Sequence, residues 1–209
     1  MKLKNFSLIL LLMQVLVGCA ASAGASDNYS VESRTVRVGQ FVALQAEGAL
    51  PVELRQVPDS AGTVIISASD RAMPLVSVGI SDGTLVVRFT GRGRESLLSS
   101  EVKSVKVYCG RDIRQLQLTG SGSIAVGKLH SQGDITAVST GSGSLAMAGC
   151  DCQNLTVALM GSGSIALGGV HARNISTSLA GSGSLAAGDV DATAFNCTIS
   201  GSGSAVVSG

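Results

Sequence analysis

This sequence contains few aromatic side chains, and its net charge is close to zero. Tryptophan is absent, tyrosine occurs only at Tyr29 and Tyr108, and aromatics make up 3% of the 209 residues. A chain with few aromatics and no basic residues interleaved with them lacks the usual surface for stacking nucleic-acid bases. We therefore expect no nucleic-acid partner. The hydrophobic residues, 45% of the chain, are mostly aliphatic or small, which predicts a narrow core without bulky side chains.

The N-terminus has the features of a bacterial targeting segment. Two lysines precede an apolar stretch, residues 6–17, that is too short to span a bilayer comfortably. Leu16-Val17-Gly18-Cys19 then resembles a lipobox, in which the chain is cleaved before the cysteine and lipid is attached to its sulfur. This pattern predicts a signal peptide at 1–18, a lipid anchor on Cys19 and a flexible tether at 19–33, so that the membrane is a partner through the anchor.

Ordinary secretion is the alternative, because Ala-x-Ala patterns would allow cleavage after Ala23 or Ala25. Loss of residues 1–18 removes Lys2 and Lys4 and leaves 13 basic side chains against 14 acidic ones, a net charge of −1. So small a charge creates no long-range field that would attract nucleic acid. We expect the protein in the bacterial outer membrane, at the cell surface or in the periplasm.

The tetrapeptide Gly-Ser-Gly-Ser occurs five times at nearly constant spacing. A fixed period of this length is typical of proteins built from stacked repeats. The first repeat has one extra residue, which we place near Gly133. The motifs begin 21, 20, 20 and 20 residues apart, at Gly120, Gly141, Gly161, Gly181 and Gly201.

Between these motifs, apolar and polar residues alternate with the period of a β-strand, and no helical period competes. The pattern predicts an all-β fold, a single-stranded parallel β-helix or solenoid with coils of about 20 residues. Parallel crossovers prefer a right hand, so we expect a right-handed coil. A flexible Gly/Ser linker is rejected because apolar columns lie between the motifs. One such column is Ile124, Leu145, Ile165 and Leu185.

The same alternation assigns the glycines and serines of the motif to opposite sides. If the flanking apolar residues point inward, the glycines do too, at a place where two walls converge and no side chain fits or where the backbone must bend. The serines then point outward and offer an uncharged hydroxyl surface to a glycan or to another sheet. The alternative is that serine follows glycine only as a small residue that tolerates turns. The two predicted columns are Ser121, Ser142, Ser162, Ser182, Ser202 and Ser123, Ser144, Ser164, Ser184, Ser204.

The chain before the repeats also alternates as strands do. We interpret 34–110 as irregular β coils that begin the solenoid and blunt its N-terminal end, continuous with the regular coils at 111–209. A segment at 36–44 is predicted as one strand, and 91–100 as a loop that leaves the stack. The final coil has nothing predicted to cover it, and its free strand edges favour contact with a partner or a second copy.

The Gly-Ser-Gly-Ser-(Ile/Leu) repeat, behind a lipoprotein-like leader and a β-rich N-terminal half, resembles the bacterial family called putative auto-transporter adhesin, head GIN domain. The resemblance covers roughly residues 36–209, closely in the repeats and only in pattern before them, for example at 82–87. It implies a β-helix similar in shape to pectin-lyase-type enzymes but without their catalytic residues, and a role in cell adhesion. The family is a domain of unknown function common in Bacteroidetes, and it implies no particular site residues.

Four cysteines remain after the lipobox: Cys109, Cys150, Cys152 and Cys197. Cys150 and Cys152 lie two apart on one strand face, a poor geometry for a disulfide. The repeat register places the last three at inward positions and leaves the orientation of Cys109 open. We interpret them as free thiols packed as small hydrophobes, because a Cys-x-Cys metal site would need further ligands and none is in register.

A column of alternating histidine and aspartate is the second candidate site. It consists of His130, Asp151, His171 and Asp191, each ten residues after a motif start. Pairing between solvated side chains would contribute little. The alternative is a weak divalent-metal or pH-responsive site, since histidine changes charge near neutral pH.

A polysaccharide-active lyase or hydrolase is an alternative function, because many extracellular β-helices act on polysaccharides. Hydrolysis needs two facing carboxylates, and the outward acids of the repeats are few, with no Arg or Lys cluster beside them. We predict no catalysis and no cofactor, and a cell-envelope lipoprotein that binds a glycan or protein surface. A structural protein that assembles with itself or with other envelope proteins is the other alternative. The acids are Asp134, Asp151, Asp189 and Asp191, of which the last two form the best pair.

Overall fold

A computed structural model describes residues 30–110 and 113–209. The described residues form fourteen strands that belong to one sheet, wound around a shared apolar interior. They also include 3-10 helices at Pro58–Ser60, Met73–Leu75 and Gly93–Glu101. In chain order the strands are β1 (Val31–Arg37), β2 (Ala43–Glu47), β3 (Pro51–Gln56), β4 (Thr63–Ser69), β5 (Val76–Ser81), β6 (Thr84–Phe89), β7 (Val102–Cys109), β8 (Gln115–Gly120), β9 (Ser123–His130), β10 (Ile135–Gly141), β11 (Ser144–Gly161), β12 (Ser164–Gly181), β13 (Ser184–Ser200) and β14 (Ser204–Val207).

The repeats form the regular part of a parallel β-solenoid. Successive coils pair with a register of 20 residues, so that Leu145 lies opposite Ile165 and Ile165 opposite Leu185. About five turns are stacked along the molecule. The predicted inward column of these residues and Ile124 is at most 2% exposed. The all-β solenoid with coils of about 20 residues is therefore confirmed.

The longer first repeat accommodates its extra residue in a short loop. His130 pairs with Asp151, 21 residues further on, whereas Ile135 pairs with Leu155, 20 residues further on. The register therefore changes around Gly133, where the sequence analysis placed the additional residue. Pairing of β11 with β9 ends before this loop, and pairing of β11 with β10 begins after it.

The Gly-Ser-Gly-Ser turns require glycine because the backbone bends there and because the neighbouring coil lies very close. Gly141 has a φ of +116°, a conformation that L side chains rarely adopt. A Cβ atom there would lie 2.5 Å from the carbonyl oxygen of Gly120 in the preceding coil, and one on Gly143 would lie 2.6 Å from the oxygen of Gly122. Of the two predicted reasons, the bend of the backbone is present, whereas the main obstruction is the backbone of the neighbouring coil and not two converging inner walls.

The N-terminal coils are stacked in an order that differs from their order in the chain. β2 pairs in parallel with both β6 and β8, and β3 pairs in parallel with both β7 and β9. The coil β2–β3 therefore lies between the later coil β6–β7 and the first regular coil β8–β9. The expectation that each strand pairs with the next coil in sequence is therefore wrong for this half of the chain.

Antiparallel strands cover the N-terminal end of the solenoid. β4 pairs with β7 and β1 with β4, while β5 pairs with β6. β1 and β5 are therefore the terminal strands of the strand order, and the blunting of this end stays a prediction. Residues 31–33 belong to β1 and pair with β4, so they are not part of a tether. The strand expected at 36–44 is divided between β1 and β2.

The predicted signal peptide, the lipid-anchor residue Cys19 and most of the predicted tether lie outside the described residues. In the part of the chain that the structure describes, no helix has the length and apolar character needed to cross a membrane. The predicted loop at 91–100 contains the 3-10 helix Gly93–Glu101, whose residues are mostly exposed.

The interior is filled by aliphatic side chains, as the composition predicts. Few polar side chains are buried among the described residues. One of them, Ser139, occupies an inward position between Leu118 and Leu159 of the neighbouring coils. Its hydroxyl is fully buried without a hydrogen-bond partner. Such a group lowers stability because its hydration is lost and not replaced.

Candidate functional site: an exposed serine face

The serines of the five turns form two columns on the outside of the solenoid. Ser144 lies opposite Ser164, and Ser164 opposite Ser184, in the parallel ladder. Nine of the ten serines are exposed and one is half-buried. The structure thus places these residues where the sequence predicts them, and their role in binding stays a prediction. We call this surface the serine face; it consists of Ser121, Ser123, Ser142, Ser144, Ser162, Ser164, Ser182, Ser184, Ser202 and Ser204.

A column of alanines continues the serine face along the same strands. Ala125, Ala146, Ala166 and Ala186 pair in register and are all exposed. Neighbouring strands lie about 4.8 Å apart, so short side chains in register produce a flat, uncharged surface. This column was not predicted from the sequence, although its position between two buried residues in each repeat was a usable signal.

A shallow groove lies at the N-terminal end of the serine face. The turn at 48–51 stacks against the first Gly-Ser-Gly-Ser motif, and Gly122 and Ser123 donate their N–H groups to the carbonyls of Gly48 and Leu50 at 2.8 and 2.9 Å. This contact depends on the out-of-order coil β2–β3, so the spacing of the repeats could not reveal it. The groove has a volume of about 240 Å³ and is lined by Ala49, Leu50, Pro51, Ser121, Gly122, Ser123, Ser142, Gly143 and Ser144.

The histidine–aspartate column is stacked as the sequence predicts. Asp151 pairs in register with both His130 and His171, and His171 pairs with Asp191. An Asp151 carboxylate oxygen lies 3.2 Å from Nδ1 of His171, and the other lies 3.7 Å from Nδ1 of His130. These side chains are between half and three-quarters exposed, so water screens the pairs and each contributes little. Within 30–110 and 113–209, no three His, Cys, Asp or Glu residues are grouped so as to hold a metal ion.

A second polar column, which we call the amide column, was missed by the sequence analysis. The side-chain nitrogen of Asn154 donates to a carboxylate oxygen of Asp134, and that of Asn174 donates to the side-chain oxygen of Asn154, both at 2.7 Å. Stacked coils bring these residues together because they occupy the same position in successive repeats. Their 20-residue spacing was a signal for this contact.

Two of the four outward carboxylates therefore already interact with side chains of neighbouring coils. Asp134 accepts a hydrogen bond from the amide column, and Asp151 lies between two histidines. Asp189 has a φ of +51°, so the extended backbone is interrupted there. The prediction that Asp189 and Asp191 share one strand face loses its basis, because it assumed unbroken alternation.

The cysteines differ in their surroundings. Cys109, whose orientation the repeat register left open, is fully buried, and burial raises the pKa of its thiol to about 11. Cys197 stacks on Thr177 as predicted, yet it is exposed because no described coil covers it. The sulfurs of Cys150 and Cys152 lie 3.6 Å apart. None of the four cysteines forms a disulfide, in agreement with the predicted free thiols.

A family model described as putative auto-transporter adhesin, head GIN domain, matches residues 40–208. The chain belongs to this family. The match contains β2 to β14, so the out-of-order coils, the regular repeats and the serine face all lie within the head GIN domain. The resemblance inferred from the Gly-Ser-Gly-Ser repeats is confirmed.

The head GIN domain has the fold of two solved structures of low sequence identity. A putative adhesin from Bacteroides fragilis is 17% identical with a TM-score of 0.60, over 86% of this chain and 97% of that one. A putative lipid binding protein from Parabacteroides distasonis is 17% identical with a TM-score of 0.64, over 86% of this chain and 96% of that one. At this identity the likeness shows the fold alone. Among curated proteins, none matches this chain.

Proposed function

We propose that this head GIN domain is a non-catalytic adhesion module of the bacterial envelope, which binds an uncharged glycan or protein surface through the serine face. The observation that carries the proposal is the exposed, in-register array of hydroxyls beside a shallow groove. Each hydroxyl both donates and accepts a hydrogen bond, so repeated units of a ligand find repeated partners along the array. Many weak contacts on one rigid surface then add to a useful affinity.

Other observations support this role and its location. The family and one relative are named for adhesion, which supports a place at the cell surface or in the envelope. The leader and the lipobox support attachment to a membrane through Cys19. Serine hydroxyls without a neighbouring base are poor nucleophiles, and neither histidine of the chain belongs to the serine face. The arrangement therefore favours binding over catalysis.

Two matched double variants test the serine face. Ser144→Asp with Ser184→Asp places two charges two rungs apart on that face, and Thr156→Asp with Asn196→Asp does the same on another side of the solenoid. Binding of the purified chain to neutral glycans, matrix proteins and lipid vesicles is measured for all three proteins. We expect the first variant to lose at least about tenfold in affinity, because charged groups are desolvated on contact, and the second to bind as the wild type does. Equal binding by both variants would exclude the serine face.

The anchor is tested separately in cells. Wild-type protein should incorporate a labelled fatty acid and partition into detergent, and Cys19→Ser should do neither. Added protease should cleave the domain on intact cells if it faces the medium. A wild-type protein that carries no lipid would show instead that the leader is removed by ordinary secretion.

Assembly with a second copy is the other candidate function, and the last described coil favours it. Among the described strands, none pairs with the outer edge of 191–200 in β13. Its inward side chains are correspondingly uncovered: Phe195 is only half-buried, Cys197 is exposed and Ile199 is 43% exposed. At the opposite end of the solenoid the sheet finishes in the antiparallel strands β1 and β5 and not in a regular coil, so the edge at 191–200 is best matched by the same edge of another molecule.

An antiparallel contact centred on Cys197 would satisfy this edge. It places Phe195 of each copy opposite Ile199 of the other, and Asp191 opposite Gly203, so that no like charges face each other. Sedimentation should then show a dimer that Ile199→Lys dissociates, whereas Thr198→Lys, whose side chain points outward, leaves it intact. A wild-type protein that remains monomeric at high concentration would refute the contact.

A further inference from the structure

The serine face leaves one reactive group of the chain unused, the thiol pair of Cys150 and Cys152. Both residues lie in β11, and their sulfur atoms are 3.6 Å apart, with the Cys150 thiol donating a weak hydrogen bond to the sulfur of Cys152. Cys150 is 2% exposed, whereas Cys152 is half-buried. Among the described residues, the other cysteines lie in other coils, Cys109 in β7 and Cys197 in β13. One protected thiol thus contacts one accessible thiol.

The surroundings shift the pKa values of the two thiols in opposite directions. The hydrogen bond from Cys150 lowers the pKa of the Cys152 thiol, against the opposing effects of burial and of the carboxylates of Asp134 and Asp151. The same bond, together with burial, raises the pKa of Cys150. Cys152 is therefore the thiol that carries negative charge more readily, and the thiolate is the form that attacks disulfides.

The extra residue of the first repeat lies directly beside this pair. The parallel ladder with the preceding coil ends at Asp151 and resumes only at Leu155. Between them, the loop around Gly133 provides one backbone bond, from the N–H of Gln153. The segment that contains Cys152 is therefore held less firmly on this side than the equivalent segment of the next coil. That accounts for its partial exposure and leaves the backbone room to adjust.

We propose that Cys150 and Cys152 form a reversible dithiol–disulfide couple that exchanges with small-molecule or protein disulfides. The Cys152 thiolate attacks one sulfur of the incoming disulfide, which forms a mixed disulfide and releases the first thiolate. Cys150 then loses its proton and attacks the Cys152 sulfur, which forms the bond between Cys150 and Cys152 and releases the second thiolate. Two protein thiols are oxidised and one external disulfide is reduced to two thiols, so the electrons balance.

The geometry predicts that this bond is easily reduced again. Residues two apart in an extended strand have Cα atoms about 6.6 Å apart, close to the upper end of the range of about 4.4–6.8 Å that disulfides span. Closure therefore bends the strand between Cys150 and Cys152, and strained disulfides are the more reducible ones. The couple is suited to reversible exchange and not to permanent cross-linking.

Trypsin separates the cysteines in a way that makes the test direct. Cleavage after Lys106, Arg111, Lys128 and Arg173 places Cys109 in peptide 107–111 and Cys197 in peptide 174–209, while Cys150 and Cys152 share peptide 129–173. The purified chain is equilibrated with graded ratios of reduced and oxidised glutathione, acid-quenched, alkylated and digested. We expect peptide 129–173 to lose two hydrogens and resist alkylation, and to recover both on return to reduced glutathione, while Cys109 forms no disulfide.

Single variants test the order of the two steps. Cys150→Ala should leave Cys152 trapped as a mixed disulfide with glutathione, because no second thiol can displace it. In Cys152→Ala the remaining Cys150 should react at least about tenfold more slowly, because it is buried. The variants are compared in a Cys197→Ser background, and circular dichroism verifies that each is folded. Absence of the internal bond at every glutathione ratio, or equal rates for the two single variants, would overturn the proposal.

Discussion

Replacement of Gly141 by alanine should destabilise the solenoid far more than its small size suggests. The residue has a φ of +116°, and a Cβ atom would lie 2.5 Å from the carbonyl oxygen of Gly120. That oxygen already accepts hydrogen bonds from the N–H groups of Ser142 and Gly143, both at 3.0 Å. The coil cannot move away from the new methyl group without lengthening both bonds.

The expected magnitude follows from two separate costs. An L residue in a left-handed conformation costs about 1–2 kcal/mol, and a group forced into a close-packed site costs about 1–3 kcal/mol. Their combined effect, about 2–5 kcal/mol, is a large part of the roughly 5–15 kcal/mol that stabilises a typical domain. Since 1 kcal/mol lowers Tm by about 2–4 °C in a domain of this size, Gly141→Ala should lower Tm by about 4–20 °C.

The assay is thermal and urea unfolding followed by circular dichroism at the strand band. Gly133→Ala is the matched control, because a Cβ atom at Gly133 meets nothing within 4 Å and the residue has no strained φ. The control should unfold within about 1 kcal/mol of the wild type. If Gly141→Ala were as stable as Gly133→Ala, the close approach between successive turns would not be what requires glycine.

Three further predictions concern the core and the charged column. Ser139→Ala removes a buried hydroxyl without a partner and should raise the free energy of unfolding by about 1 kcal/mol or more, measured in urea; a loss of stability would show that the hydroxyl is satisfied in solution. The raised pKa of Cys109, about 11 against 9.0, means that its contribution to stability is fully present below pH 9.0 and is lost as pH rises towards 11. Wild type should therefore lose roughly 2–3 kcal/mol more than Cys109→Ala over that interval in urea unfolding at each pH, and equal losses would contradict the assignment. Asp151→Asn should change stability by less than about 1 kcal/mol at neutral pH, because its pairs with His130 and His171 are exposed; a larger change in Tm would show that the column is structural.

The repeat half of the fold could be predicted from the sequence because residues at equivalent positions of successive repeats stack on one another in a solenoid. The columns headed by Ile124, by Ser123 and by His130 all appear at the predicted register. The loop around Gly133 was also predictable, since one additional residue must be accommodated without displacing the columns. In this region position in the repeat determines position in space.

The candidate site was predictable only in part, for the same reason. The serine face follows from the period, but the groove beside it depends on residues 48–51, seventy residues away in the chain. Local alternation identifies β2 and β3 as strands without identifying their partners. The early coils have no repeated motif that would show β2–β3 lying between β6–β7 and β8–β9.

The sequence by itself determined the solenoid, its period and the orientation of the side chains on each rung, because these depend on alternation and on spacing that repeats. Only the tertiary structure decided the order of the N-terminal coils, the backbone contact that excludes a Cβ atom at Gly141, and the 3.6 Å approach of the Cys150 and Cys152 sulfurs. Those features depend on which backbone edge of one coil meets which edge of another, and on local departures from ideal geometry. Neither the pairing of coil edges nor these local departures repeat along the chain, so no sequence pattern reveals them.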